Sequence, residues 1–156
     1  MEKVSVDDVE ETNFAGVSVS RLSDPLGTED LAINHYDLAP GDSFSAGMHT
    51  HLDQEELFYV ISGTATFETR DGEVEVGAGE AIRFARGDYQ SGRNDAEVGA
   101  DGEHVVALAL GAPKGSTEMR VPQPCPECGD SDELAVFFAE DGFTLRCPTC
   151  GAEFDA

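Results

Sequence analysis

The stretch that decides the fold is His49-Thr50-His51-Leu52-Asp53-Gln54-Glu55-Glu56-Leu57-Phe58-Tyr59-Val60-Ile61-Ser62-Gly63. Its second half is rich in aromatic and β-branched residues and ends at a glycine, which predicts a strand over 56–61 closed by a turn. Alternation puts Phe58 and Val60 on the same face as Glu56, the face expected to line the interior if Glu56 does, and turns Leu57 and Tyr59 to the other. In its first half, two histidines stand two residues apart. On extended backbone both imidazoles face the same side. Glu56 opens the strand that follows. Two histidines and a carboxylate can bind a divalent metal and leave positions open for water or substrate. The bland alternative is a pair of partly exposed loop histidines.

Outward from this stretch the chain reads as strand after strand. Candidates are Val17–Ser20, Leu31–Tyr36, Thr64–Thr69, Glu73–Val76, Ala81–Ala85 and His104–Leu110, with Asp71-Gly72 as a hairpin turn signal. Short strands separated by Gly and Asp turns predict an all-β sandwich or barrel. Residues 1–28 read as a polar lead-in, in which Ser5 and Asp8 could cap one helical turn before Phe14. Pro25 and Gly27 are expected to break the chain. Residues 113–122, with Pro113, Gly115 and Pro122, read as a linker.

All four cysteines lie beyond that linker. Cys125-Pro126-Glu127-Cys128-Gly129 and Cys147-Pro148-Thr149-Cys150-Gly151 are two matching turns. Two cysteines in such a turn point both thiolates at one metal, and two turns supply a closed tetrahedral sulfur shell. Strands over 133–138 and 143–146, joined through Asp141-Gly142, would connect them. Residues 123–156 thus resemble a zinc ribbon. Disulfides and a rubredoxin-like iron site are the alternatives. A closed shell has no open position, so the metal is expected to be structural, with zinc favoured. A segment this short relies on the metal to fold.

The histidine stretch, with Gly41 upstream, also resembles the first signature of the cupin superfamily. The His-x-His, the four-residue gap to Glu56 and the six-residue gap to Gly63 all match. A second signature follows in Gly79-Glu80-Ala81-Ile82-Arg83-Phe84-Ala85-Arg86-Gly87-Asp88-Tyr89-Gln90-Ser91-Gly92-Arg93-Asn94, through Gly79, Gly87 and Asn94. The resemblance covers residues 29–112. It implies a double-stranded β-helix, or jelly-roll barrel, with a pocket, often as a homodimer, but no single reaction. It also implies His49, His51 and Glu56 as metal ligands. Glu55 is the alternative carboxylate; only Glu56 also fits the gap to Gly63. Gln90 stands where cupins usually carry the last metal-binding histidine, and Ala85 where they usually carry proline. An amide oxygen is a harder and weaker donor than imidazole, so the expected barrel metal is Mn, Fe(II) or Zn, with an empty degenerate pocket as the alternative.

His35 and His104 read as structural or surface residues. Tyr89 reads as a rim tyrosine or a proton donor at the mouth. Arg83 and Arg86 read as a surface pair or as an anion-holding one.

The chain has 156 residues, 32 acids against 9 bases, and a formal net charge of −23. The acids are spread evenly, and only Lys3 and Lys114 are lysines. An acidic tail would concentrate them. This pattern fits a cytoplasmic protein of a salt-accumulating halophilic archaeon, in which molar salt screens the self-repulsion. The longest apolar run, near Val105, is too short to span a membrane. Glu2, Asp7 and Asp8 stand where a secretory leader would be basic and then apolar. Arg146 is the only base in residues 121–156, which argues against nucleic acid as a partner of the ribbon. Three functions remain open: a metal-dependent enzyme on a small polar or anionic metabolite; a ligand sensor whose ribbon contacts a partner; and a barrel that the ribbon merely stabilises or dimerises.

Overall fold

In the computed structural model, residues 1–14, 16–99, 102–139 and 142–155 are described. The strands are β1 (Glu11–Phe14), β2 (Val17–Arg21), β3 (Ala32–Leu38), β4 (Thr50–His51), β5 (Glu55–Ser62), β6 (Thr64–Thr69) and β7 (Gly72–Gly77). They continue as β8 (Ala81–Phe84), β9 (Gln90–Arg93), β10 (Val105–Ala112), β11 (Met119–Val121), β12 (Leu134–Ala139), β13 (Gly142–Arg146) and β14 (Glu153–Asp155). They form a six-stranded sheet in the order β1-β2-β3-β10-β5-β8 and a three-stranded sheet in the order β7-β6-β9. A five-stranded sheet runs β14-β13-β12-β11-β4. The fold is the expected all-β one: a cupin-type double-stranded β-helix followed by a small cysteine-bearing hairpin element.

The barrel closes on its aromatic residues. Phe58 on β5 and Phe67 on β6 are fully buried, with ring centroids 4.9 Å apart. Phe44 lies 5.1 Å from Phe58 and 5.5 Å from Phe67, joining the two faces. Burying each such ring stabilises the fold by about 1.5–3 kcal/mol. On β5, Phe58 and Val60 lie inside and Tyr59 outside as expected, while Leu57, expected to face outward, is half-buried. Gly92 on β9 is required by this packing, because a Cβ there would lie 2.5 Å from Phe67 and 2.7 Å from Phe44. Gly63 turns β5 into β6 at φ 77°. Asn94 is buried and donates to the carbonyls of Leu38 and Glu103, tying the end of β9 to β3 and to the approach to β10.

Several local expectations differ from the structure. Ser5 precedes a 3₁₀ turn, Val6–Asp8, but its side chain makes no capping bond. Pro25 does not break the chain there: it lies inside a short helix, α1 (Ser23–Leu26), within the first turn, where a missing N–H costs no hydrogen bond. Gly27 ends that helix at φ 63°. In the hairpin between β6 and β7, Thr69 pairs with Gly72, so the two loop residues are Arg70 and Asp71 rather than Asp71 and Gly72. The stretch read as a linker carries β11, which pairs β12 on one side and β4 on the other. Of the expected Asp141-Gly142 turn, Asp141 lies outside the described residues, and Gly142 begins β13. Among the described residues, no helix is long and apolar enough to cross a membrane.

Candidate metal centre and its cavity

Backbone pairing brings the barrel residues together. His49 and Gln90 form a β-bridge, with His49 N donating to Gln90 O at 3.0 Å and Gln90 N to His49 O at 2.9 Å. His51, two residues on, lies on β4 with its ring 5.1 Å from that of His49. Glu56 enters from β5, between Phe84 on β8 and Gly111 on β10. Ligand atoms of His49, His51 and Glu56 all lie within 4.8 Å of one another and could hold a metal ion. Glu55 instead faces outward and pairs with Arg83 at 3.0 Å.

Hydrogen bonds outside this cluster fix both imidazoles. His49 Nδ1 is 2.9 Å from the Gly47 carbonyl, which can only accept, so Nδ1 carries the proton and Nε2 keeps its lone pair. His51 Nδ1 is 2.8 Å from Ser116 Oγ, whose own hydrogen goes to Asp53 Oδ1 at 2.7 Å. His51 therefore donates through Nδ1 as well, and its Nε2 is free to ligate. Asp53 also accepts from Thr117 N at 2.8 Å and Thr117 Oγ1 at 3.1 Å. Partial burial works against its charge. The bonds from Thr117 and Ser116 outweigh that and hold its pKa down at about 2. The segment after β10 thus orients a histidine, a role that no local pattern in its sequence announces.

Burial lowers both histidine pKa values, that of His51 to about 4, so both rings are neutral near pH 7. Burial pushes Glu56 up to about 7, against a 2.9 Å bond from Gln90 Nε2. The same Gln90 nitrogen is 3.3 Å from His49 Nε2, while Gln90 Oε1 is buried with no hydrogen-bond partner among the described residues. A half-turn of the amide would bring that orphaned oxygen to the ligand side. Carbonyl oxygen, imidazole nitrogen and carboxylate oxygen form a donor set that fits a divalent cation.

The cluster opens onto a cavity of about 490 Å³. One wall comes from alternate residues of β2 and β3, namely Val19, Arg21, Asn34 and Tyr36. Another comes from the C-terminal sheet: Met119, Val121, Val136, Phe138 and Phe143. Tyr36 is a site residue that sequence reasoning missed. It lies in a predicted strand, but only the barrel's closure shows which face looks inward. Burial, and then the charge of Glu56, hold its hydroxyl pKa well above the ordinary tyrosine range.

Tyr89, expected at the mouth as a rim residue or proton donor, stands elsewhere. It is buried away from this cavity, with its ring under the Arg70 guanidinium at 3.7 Å. Its hydroxyl donates to Glu133 Oε2 at 2.6 Å, fastening the C-terminal element to the barrel. Neither Arg83 nor Arg86 borders the cavity. His104 is exposed and bonded to Asp37 at 2.6 Å, and neither it nor His35 joins the ligand cluster.

In the C-terminal element, the sulfurs of Cys125, Cys128, Cys147 and Cys150 also lie within 4.8 Å of one another. Cys125 Sγ is 3.7 Å from Cys150 Sγ, and Cys128 Sγ is 3.8 Å from Cys147 Sγ. Four sulfurs each about 2.3 Å from a tetrahedral cation stand about 3.8 Å apart, whereas a disulfide is about 2.05 Å. The two turns are alike: Gly129 N bonds Cys125 O and Gly151 N bonds Cys147 O, both at 3.0 Å, with φ of 68° and 76° at the glycines. Backbone N–H groups of Cys150 and Thr149 aim at Cys147 Sγ and lower its pKa to about 6. Leu134, Val136 and Leu145 form the small core beneath.

Residues 34–100 match the family model described as Cupin domain. The fold is similar to that of a sugar phosphate isomerase from the cupin superfamily of Silicibacter pomeroyi, at 20% identity and TM-score 0.71. That match covers 96% of this chain and 94% of the other, so it takes in the cysteine hairpins as well as the barrel. A protein from Thermotoga maritima described as a predicted oxalate decarboxylase matches at 21% identity and TM-score 0.58, over 71% of this chain and 98% of its own. A Klebsiella pneumoniae protein with a double-stranded β-helix domain matches at 19% identity and TM-score 0.58, over 73% and 86%. Likeness at these identities establishes a shared fold. A comparison with curated proteins finds no match.

Proposed function

We propose that this chain is a metal-dependent enzyme acting on a small polar metabolite. His49, His51 and Glu56 hold one divalent cation, Mn, Fe(II) or Zn. Gln90 completes the shell once its amide turns. The four cysteines hold a structural zinc. The observation that carries this reading is the pair of imidazoles set in one tautomer by Gly47 and by the Ser116–Asp53 relay, with their free nitrogens converging on Glu56 at the edge of a cavity. Three protein ligands and one weak amide leave coordination positions for a substrate.

When bound, the cation acts as a Lewis acid toward a substrate oxygen, or as Fe(II) toward dioxygen. The chain's own residues do the rest. Phe58 and the Val19 side of the cavity supply an apolar surface, while Asn34 and Tyr36 offer polar contacts. Val136, Phe138 and Phe143 line it from the C-terminal element. In this reading the cysteine site serves the barrel by building that wall. The Silicibacter protein's description as a sugar phosphate isomerase is compatible with such a cavity and names one substrate class to try first.

The test is turnover. Full-length protein in molar KCl is loaded in turn with Mn(II), Fe(II) and Zn(II). Each form is incubated in D₂O with a panel of hydroxy acids, hydroxy ketones and sugar phosphates, followed by proton NMR. The expected result is conversion or deuterium uptake with one metal form, lost in His49→Ala/His51→Ala. No change with any metal form would overturn the enzymatic reading.

A further inference from the structure

We propose that Arg21 is the anion-binding residue of the cavity, and that its ligand is a small hydroxylated molecule ending in a phosphate or a carboxylate. This rests on the metal-centred reading above and adds the substrate class.

The first observation is an inversion of charge. The chain carries 32 acids and 9 bases, yet among the described residues Glu56 is the one acid lining the cavity, against Arg21 and Lys114. A chain of net charge −23 repels anions at a distance. With Lys114 held by Asp24, Arg21 is the cation of this lining left to meet an anionic ligand.

The second observation is that Arg21 is uncommitted. Arg83, Arg93, Arg120 and Arg146 each pair with a carboxylate, and Arg70 covers Tyr89. Lys114 is held by Asp24 Oδ1 and the Thr28 carbonyl, both at 3.0 Å. Arg21 has no ion pair or hydrogen bond among the described residues. Its exposed side chain borders the cavity with five guanidinium donors unspent. Arg86 and Lys3 also have no such partner among the described residues, but neither borders the cavity.

The third observation is spacing. Arg21 on β2 stands opposite Asn34 on β3, and Tyr36 follows on the same face. Two residues of strand span about 7 Å. Tyr36 lies within electrostatic reach of both Arg21 and Glu56. The arginine, Asn34, Tyr36 and the metal cluster therefore border one cavity of about 490 Å³. A cavity of that size suits a molecule a few carbons long, with oxygens at the metal and an anion at the guanidinium. Arginine's planar fork matches phosphate and carboxylate alike.

Isothermal titration on Mn(II)-loaded, full-length protein tests this with three probes: glycerol 3-phosphate, glycerate and uncharged glycerol. Manganese occupancy is read separately by electron paramagnetic resonance. At least one anion should bind more tightly than glycerol, and which one does so identifies the anion. Arg21→Ala should weaken that binding by roughly tenfold to a hundredfold with Mn(II) occupancy unchanged, and Arg21→Lys should restore part of it. Anions binding no better than glycerol, or equal affinity in wild type and Arg21→Ala, would overturn the assignment of Arg21. Failure of the protein to take up Mn(II) would instead count against the metal reading. The anion titration then remains readable on the metal-free chain.

Discussion

Ser116→Ala isolates the link between the segment after β10 and the metal cluster. Ser116 Oγ accepts from His51 Nδ1 at 2.8 Å and donates to Asp53 at 2.7 Å. Alanine removes both bonds and leaves the backbone free to stay in place. Asp53 keeps its two bonds from Thr117 and its charge at pH 7, so stability should fall by only about 1 kcal/mol. His51, however, loses the acceptor that holds its proton on Nδ1. Either tautomer then becomes accessible, and one of them places hydrogen on the ligating nitrogen. Losing such an outer partner typically costs tenfold to a hundredfold in metal affinity, so a loss of roughly that size is expected. Competition with a chromogenic chelator, using Mn(II) or Zn(II) on protein whose cysteine site is already filled, gives the dissociation constant. His51→Ala serves as the full-loss reference. An affinity for Ser116→Ala within about twofold of wild type, beside a large loss in His51→Ala, would refute the claim that the relay orients the histidine.

Replacing the weak ligand should act in the opposite direction: Gln90→His is expected to tighten barrel metal binding, measured by the same competition, because imidazole is the stronger donor. Gly63→Ala should destabilise the barrel by about 2–4 kcal/mol in chemical denaturation, since a side chain at φ 77° is strained and its Cβ would run into the His104 carbonyl. Cys147→Ser should abolish metal at the cysteine site and, with Val136 and Phe143 no longer held against the cavity, weaken ligand binding while the barrel's circular dichroism persists. The melting temperature should rise steeply from low to molar KCl, as screening removes repulsion within a chain of net charge −23.

Much of the fold was legible because its signals are local and periodic. The aromatic and β-branched run from Glu55 to Ser62 announces β5, and Gly63 marks its end, while the buried face follows from the parity of Glu56 rather than from the run itself, which is apolar throughout 57–61. The paired cysteine turns announce themselves by spacing alone. What stayed hidden depends on partners remote in sequence. Strands β4, β9 and β11 are two to four residues long and partly polar, so no periodicity reveals them, and they exist because a neighbouring strand supplies their hydrogen bonds. For the same reason the residues after β10 read as a spacer, although Ser116 reaches His51 across 65 positions of chain. Tyr89, which reads from sequence as a rim residue of the mouth, stands elsewhere for a local reason. Neighbours on a strand point to opposite sides, so Gln90 faces the cluster and Tyr89 faces Glu133. Arg21 and Tyr36 illustrate the remaining gap: their strands were anticipated, but not that the inner faces of β2 and β3 complete the metal cavity.

If the cysteine cluster and the His49–His51–Glu56 cluster each hold an ion, the chain carries two metals, and their stoichiometry can be counted. Elemental mass spectrometry of protein purified in molar salt should find one metal at the cysteine site and a second in the barrel. His49→Ala/His51→Ala should lose the second and keep the first. Wild type and variant carrying the same single metal per chain would contradict the account.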